Sequence, residues 1–344
     1  MHIRSEKLSL QLENPFKISY GATTTRQNAL VHLSDGELTG VGEAAVVPYY
    51  GETPERVTTY FENLPSALAE NVLLLEDALT QLPPTESSAA RAAVDMALHD
   101  LWAKKLGQPL YRLWGLNPER CATSSYTVAL ADDEAAYRKL VANAQGFPVV
   151  KLKLGSGSLD TDLKFTQIAM TLLSDAQICV DANGGWSAPD ALKIIPQLAE
   201  MRVLFVEQPV AKHDFAGWRM LRQQLPKNMP PLIADESVQG VESVIPLAGL
   251  VDGINIKLAK CGGLQPARQM IALARALGMQ VMIGCMVESS VAISAAATLT
   301  PLADYADLDG NLLITNDPYR GARNVHGKMM LPILPGLGVE RLVE

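Results

Sequence analysis

Long apolar runs are missing from this chain of 344 residues. The longest uncharged stretch, Ser289 to Ala303, is 15 residues of mostly small side chains. A bilayer span needs about 20 predominantly apolar residues, so no membrane partner is expected. Basic charge is also short: 29 Lys and Arg stand against 37 Asp and Glu, for a formal charge of −8, and the cations form no block. That argues against a nucleic-acid partner. Cysteine is scarce, and Cys121, Cys179, Cys261 and Cys285 are widely separated with no Cys-x-x-Cys pair. They read as reduced thiols. The amino-terminal run MHIRSEKLSLQLENPFK is charged throughout, without the apolar core of a secretion signal, and the expected compartment is the cytoplasm.

What the chain does have is apolar mass. At 48% hydrophobic residues it can bury a large core, and its length exceeds what one core usually organises, so a large barrel or sheet with a smaller companion is expected. The first 60 residues alternate like antiparallel strands: Leu8, Leu10 and Leu12 share a parity, and Ala29 to Leu33 runs through the Ser34-Asp-Gly-Glu37 turn to Leu38–Val41. Thr53 to Gly115 reads as helical, most clearly over Ala89–Trp102. Beyond Leu116, eight short apolar runs appear: Ser124–Val128, Val149–Leu154, Gln177–Asp181, Val203–Glu207, Leu232–Asp235, Gly253–Lys257, Gln280–Cys285 and Tyr305–Asp309. Each is followed by an amphipathic segment. From Lys153 the polar ends recur at Asp181, Glu207, Asp235 and Lys257, steps of 28, 26, 28 and 22 residues. That is the period of a strand plus a helix, and eight such units close a (β/α) barrel.

Residues at the carboxyl ends of barrel strands face the active site, and six of these eight ends are charged. They carry Lys151 and Lys153, then Asp181 with Asn183, Glu207, Asp235, Lys257, and Asp307 with Asp309. Taken singly, each reads as a solvated terminus or helix cap; six together point to a functional site. Asp181, Glu207 and Asp235 lie on consecutive strands and can converge. Three carboxylates crowded together stay ionised if a cation sits among them, and an all-oxygen set with open positions suits Mg²⁺ better than Zn²⁺ or Ca²⁺. Lys153 and Lys257 fall on opposite sides of the barrel. Lysines beside a cation and partly desolvated are expected to have lowered pKa values, and two of them could remove a proton from one face of a carbon and return one to the other. Lys151 shares the face of Lys153 and could both depress it and contact a bound carboxylate.

The ordered set Lys151-Leu-Lys153, Asp181-Ala-Asn183, Glu207-Gln-Pro209, Ala234-Asp-Glu-Ser237 and Asn255-Ile-Lys257 resembles the enolase superfamily, in its muconate-lactonizing-enzyme subgroup, over essentially the whole chain. The resemblance implies an α/β fold: a (β/α)₇β modified TIM barrel with an α+β capping domain. It divides the chain into a cap at 1–116, a barrel at 117–310 and a segment at 311–344 that packs back on the cap. It implies one Mg²⁺ per chain held by Asp181, Glu207 and Asp235, with Lys153 and Lys257 as acid and base and Lys151 as their helper. Asp307-Leu-Asp309-Gly is similar to the Asp-x-Asp motif with which dipeptide epimerases hold a substrate α-ammonium. Thr127, Asn183, Cys285, Met286, Val287, Glu288 and Arg26 complete the implied substrate contacts. The implied reaction inverts the α-carbon of the C-terminal residue of an L,L-dipeptide by two-lysine 1,1-proton transfer through an ene-diolate.

Within the subgroup the rivals are N-acylamino-acid racemase, o-succinylbenzoate synthase and muconate cycloisomerase. These use the same metal and lysines, but their substrates lack the ammonium that two aspartates would bind. A sugar-acid dehydratase would need a strand-seven histidine, whereas strand seven ends Gly284-Cys-Met-Val-Glu and the histidines are at 2, 32, 99, 213 and 326. A non-catalytic barrel should have lost one of the strand-end residues, and none is lost. Side-chain preference is expected to lie with the loops at Ser19–Arg26 and Pro48–Glu52 and with Val287. Acid-selective relatives, the Ala-Glu epimerases, carry a loop arginine where this chain has Gly21; Arg26 follows five residues later. Val287 hints at tolerance of an uncharged side chain. The expected partner is a small dipeptide, with self-association into a homo-oligomer left open.

Overall fold

The computed structural model describes residues 2–19, 21–65, 68 and 72–342; Tyr20, in the expected specificity loop, lies outside the described residues. The alternating amino-terminal run forms β1 (His2–Ile18), antiparallel to β2 (Gly21–Ser34), which turns at Asp35–Leu38 into β3 (Thr39–Ala44). Helices α1 (Pro54–Glu62), α2 (Leu75–Thr80), α3 (Ser88–Lys105) and α4 (Leu110–Leu113) follow. Ser87 starts α3 by accepting the Ala90 amide, as N-cap serines do. The buried alanines of α3 let it lie almost on the backbone of β3. A Cβ on Gly42 would come within 1.8 Å of the Ala93 carbonyl oxygen, so only glycine fits there.

The barrel strands are β4 (Tyr126–Val128), β5 (Val149–Lys153), β6 (Gln177–Asp181), β7 (Val206–Glu207), β8 (Leu232–Ala234), β9 (Gly253–Lys257), β10 (Gln280–Gly284) and β11 (Tyr305–Asp307). They are parallel and hydrogen-bonded in chain order, and a parallel bridge between Ser124 and Ala306 shuts the cylinder. The expected α/β architecture, a (β/α)₇β barrel beside an α+β unit, is the observed one. The outer helices are α5 (Glu134–Ala142), α6 (Leu159–Leu172), α7 (Ala188–Glu200), α8 (Phe215–Gln224), α9 (Leu258–Cys261), α10 (Leu264–Ala276) and α11 (Ser290–Ala297). Asp133, Ser158, Ser187, Asp214 and Ser289 cap five of them with their side chains.

One expectation fails. Not every strand is followed by an α-helix: between β8 and β9 there are only two 3₁₀ turns, Val241–Ser243 and Ile245–Leu247. This is the shortest step of the repeat, and Gly240, Pro246 and Gly249 interrupt it. The chain after β11 runs along the amino-terminal sheet, with Glu13 N on Leu313 O at 3.0 Å and Thr315 N on Gln11 O at 2.9 Å. Leu337 N donates to the wholly buried Asp100 of α3 at 2.8 Å. Among the described residues no helix is long and apolar enough to cross a membrane.

Strand alternation gives the interior its layers. Cys179, Phe205, Ile233 and Met282 form an apolar floor. Two residues further along their strands stand Asp181, Glu207 and Asp235, the polar ends of the same runs.

Because α3 cannot retreat from β3 without losing its own packing, Gly42→Ala should destabilise the chain by about 3 kcal/mol. The expected readout is a lower urea midpoint with unchanged slope; an unchanged midpoint would mean that α3 yields at no cost.

Candidate active site

Strand register sets the first contacts. Lys153 pairs with Asp181 across β5 and β6, and Asp181 pairs with Glu207 across β6 and β7. Asp235 follows the end of β8, and an oxygen from each of Asp181, Glu207 and Asp235 lies within 4.8 Å of the others. Every one of these carboxylates meets an ammonium group. Lys153 Nζ is 2.7 Å from Asp181 Oδ2, Lys151 Nζ is 3.2 Å from Glu207 Oε2, and Lys257 Nζ is 2.8 Å from Asp235 Oδ2. Lys260, from the turn after β9, forms a second ion pair with Asp235 and donates to its backbone carbonyl at 2.5 Å. Asn255 Nδ2 holds the other oxygen of Glu207 at 2.7 Å. Asn183 donates its backbone amide to Asp181 Oδ1 at 2.8 Å and its Nδ2 to Glu236 at 3.0 Å.

Burial dominates the electrostatics. It pushes Glu207 up to about 7, helped by the charge of Asp181. Burial would also raise Asp235, yet Lys257 and Lys260 together hold it far below the usual carboxylate range. Lys257 departs from the lowering expected of it, and Lys151 is raised as well. Burial does favour the neutral amine, but Asp307, Glu207 and Asp181 outweigh it at Lys151, and Asp235, Glu207 and Glu236 outweigh it at Lys257. Both stand well above an ordinary lysine. Lys260 is lowered, by burial. Lysines already face the three carboxylates, yet burial and the charge of Asp181 still raise Glu207. What fits a hard divalent ion is the convergence itself: three buried oxygen donors, none of them histidine or cysteine, aimed at one point.

Above this layer opens a cavity of about 70 Å³. Lys153 and Lys257 both line it, from strands four places apart in the order of eight, hence on opposite walls. Of the expected contacts, Thr127, Asn183, Cys285, Met286, Val287, Asp307, Asp309 and Arg26 line the same space. Two do not. Lys151 is 1% exposed and lies beneath, ion-paired with Asp307. Glu288 is buried and turns back to accept the Met286 amide at 3.2 Å; burial and Glu43 push it up to about 8.

The two strand-eight aspartates are thus unequal. Asp307 is ion-paired with Lys151 and accepts Ser125 Oγ at 2.6 Å. Asp309 accepts the Thr127 amide at 2.5 Å, and burial with the charge of Asp307 pushes it up to about 6. Gly310 completes the motif because a Cβ there would be 2.2 Å from the Met286 carbonyl oxygen.

The cap supplies part of the wall. Arg26 comes from β2, and Phe16, Ile18, Val47 and Tyr50 join it, four residues that strand-end reasoning did not single out. Glu52, at the end of the second expected loop, instead bonds Ser87 Oγ at 2.5 Å and the Ala89 amide at 3.0 Å. Asn255 and Lys260 were also missed as functional residues. Asn255 lies two residues before Lys257 on one face of β9, which was a usable signal; Lys260, in a short helical turn, left none.

Comparison with known proteins agrees with this geometry. The family described as "Enolase C-terminal domain-like" matches residues 133–342, and the "Mandelate racemase / muconate lactonizing enzyme, N-terminal domain" matches 3–115. The L-Ala-D/L-Glu epimerase of Bacteroides thetaiotaomicron is 40% identical over 97% of this chain and 86% of its own. Among solved structures, the substrate-liganded L-Ala-D/L-Glu epimerase of Bacillus subtilis superposes with a TM-score of 0.90 at 28% identity, covering 98% of both chains. The Enterococcus faecalis dipeptide epimerase, complexed with Mg and L-Leu-L-Tyr, gives 0.88 at 27% identity over 98% of this chain and 99% of that one.

Residues that orient a ligand carboxylate typically change metal affinity by about 10–100-fold when removed. Calorimetric titration with Mg²⁺ should therefore show one site per chain, weakened by that factor in Asn255→Ala. Equal affinity in both proteins would exclude Asn255 as the support of Glu207.

Proposed function

The chain belongs to the enolase superfamily, in its mandelate racemase and muconate lactonizing enzyme branch, and on that premise we propose that it is a dipeptide epimerase. It is an isomerase that inverts the α-carbon of the C-terminal residue of L,L-dipeptides. The observation that carries this reading is a single cavity with a lysine on each of two opposite walls and a pair of aspartates at the end of β11. The lysines supply two-sided proton transfer. The aspartates supply an anionic seat for an α-ammonium, which muconates, o-succinylbenzoate precursors and N-acylamino acids do not have.

Asp181, Glu207 and Asp235 would hold Mg²⁺, which when bound supplies Lewis-acid stabilisation of the negative charge that develops on the substrate carboxylate. One of Lys153 and Lys257 takes the α-proton from its face of the carbon. The other returns a proton to the opposite face, and the centre inverts. Lys151 is a fixed positive charge here rather than a base: it does not line the cavity and lies beneath it, ion-paired with Asp307 and Glu207. It adds to the positive potential beneath the carboxylate. Asp309, whose charge has no lysine ion pair among the described residues, is the primary acceptor for the substrate ammonium, with Asp307 behind it. Arg26, Val47, Tyr50 and Val287 face the remaining space and would contact the C-terminal side chain. We place the enzyme in the cytoplasm, which the four unpaired cysteines fit.

Proton NMR in D₂O with Mg²⁺ and a set of L,L-dipeptides tests the reaction directly. The α-proton signal of the C-terminal residue should disappear while L,D-diastereomer peaks grow; no exchange on any dipeptide by the Mg²⁺-loaded chain would refute the reading. Lys153→Ala and Lys257→Ala should each lower kcat for epimerisation by about 10²–10⁴-fold. One of them should retain α-proton exchange on a single enantiomer. If both variants stay fully active, the two-base scheme is wrong.

Acidity supplies a separate check. Asp309 accepts an ammonium only when ionised, and it titrates near 6 in the free protein. Below that pH it is protonated, so kcat/KM should fall about tenfold per pH unit. A profile without that acid limb would remove Asp309 from the ammonium site.

A further inference from the structure

Away from the reacting centre, one buried polar chain joins the cap to the loop that follows β10. Asn28 stands two residues after Arg26 on β2, on the same face of the strand, and is 5% exposed. Its Nδ2 donates to Glu43 Oε1 at 2.8 Å and to the Val287 carbonyl at 3.1 Å, and its Oδ1 accepts the Val46 amide at 3.3 Å. Glu43, wholly buried on β3, accepts the Ser289 amide at 3.1 Å, Ser289 Oγ at 2.5 Å and the Ala292 amide at 3.4 Å. Its carboxylate therefore sits at the amino end of α11, where the helix dipole favours negative charge.

The three segments that Asn28 joins each supply a wall of the cavity. Arg26 belongs to its own strand, Val47 follows Val46, and Val287 is the residue whose carbonyl it holds. Only a side-chain amide can donate twice and accept once in this way. An aspartate could not donate to Val287 and would face Glu43 as a second carboxylate; an alanine would leave the Val287 carbonyl and Glu43 without that donor. Neither Lys153 nor Lys257 is tied to the chain: they stand on β5 and β9, held by Asp181 and Asp235.

We propose that Asn28, backed by Glu43, is a positioning residue that sets the gap between the cap and the strand-seven loop, and through it the fit of the substrate's C-terminal side chain. This rests on the epimerase reading above. Loss of the amide loosens the wall without moving the lysines, so binding of a large side chain weakens while turnover of bound substrate continues.

The test compares Asn28→Ala with the unaltered chain, both loaded with Mg²⁺, on L-Ala-L-Ala and on L-Ala-dipeptides with long C-terminal side chains. KM for the long side chains should rise about tenfold, the scale of a lost buried hydrogen bond. The kcat values and the KM for L-Ala-L-Ala should change by less than about twofold. A merely structural role would lower kcat for every substrate in proportion to the folded fraction and leave KM untouched, and that pattern overturns the proposal. Should Asn28→Ala fail to fold, Glu43→Gln preserves volume and weakens the same chain. It should shift KM in the same selective way by about threefold, and an unchanged KM there overturns the proposal too. If the unaltered chain exchanges no dipeptide α-proton, the epimerase reading falls and this proposal with it; if it is active and the variants show no selective KM change, only the proposal falls.

Discussion

Carboxylates and ammonium groups are interleaved and buried at the mouth of this barrel, and the rest of the molecule is organised around keeping them so. Burying a charge costs heavily unless it is paired and hydrogen-bonded. Here the pairing runs between strands: Lys153 to Asp181, Lys151 to Glu207 and Asp307, Lys257 and Lys260 to Asp235. Apart from that of Lys260, which comes from α9, these contacts depend on strand register, because a slip of one residue would turn the side chains to the outside. The apolar floor of Cys179, Phe205, Ile233 and Met282 excludes water from below, and the cap covers the cluster from above. Chemistry and folding therefore draw on the same ion pairs.

Much of this was legible in the sequence, for a physical reason. Apolar runs ending in charge, spaced at the period of a strand and a helix, betray both barrel and mouth, since nothing in a solvated loop would keep that rhythm. Legibility stopped where partners are chosen in three dimensions. Lys260 looks like an ordinary exposed residue of a short helix, yet it is buried on Asp235. Glu288 sits in a run that otherwise lines the cavity, but its side chain folds back on Met286. Lys153 and Lys257 were expected to release a proton more readily beside a cation and in burial, and at Lys257 the carboxylate neighbours hold the ammonium instead. The helix expected after β8 is absent because Gly240, Pro246 and Gly249 break the shortest step of the repeat.

The cap and barrel divide the work unequally. Strand ends of the barrel carry the groups proposed to move protons and bind charge, and they are held by a ladder of backbone hydrogen bonds. The cap contributes Phe16, Ile18, Arg26, Val47 and Tyr50, side chains whose size and charge can change without disturbing that ladder. The two units meet through a few buried acids: Glu43 at α11, Asp95 on the amides that open α10, and Asp100 on the carboxyl-terminal segment. Each places a carboxylate of one unit on backbone amides of the other, which fixes orientation as well as contact.

The cylinder closes between its first and last strands, and the aspartates of β11 lie on that seam. Asp307 takes the Ser125 hydroxyl and Asp309 the Thr127 amide, both from the segment that opens the barrel. The two carboxylates that would greet a peptide's amino end thus also rivet the start of the barrel to its finish. A lineage that traded them for neutral residues, to accept substrates without an ammonium, would have to find another fastening for the same joint. Substrate choice at this end of the cavity is consequently bound to the mechanical integrity of the barrel, whereas choice at the other end is free to drift with the cap.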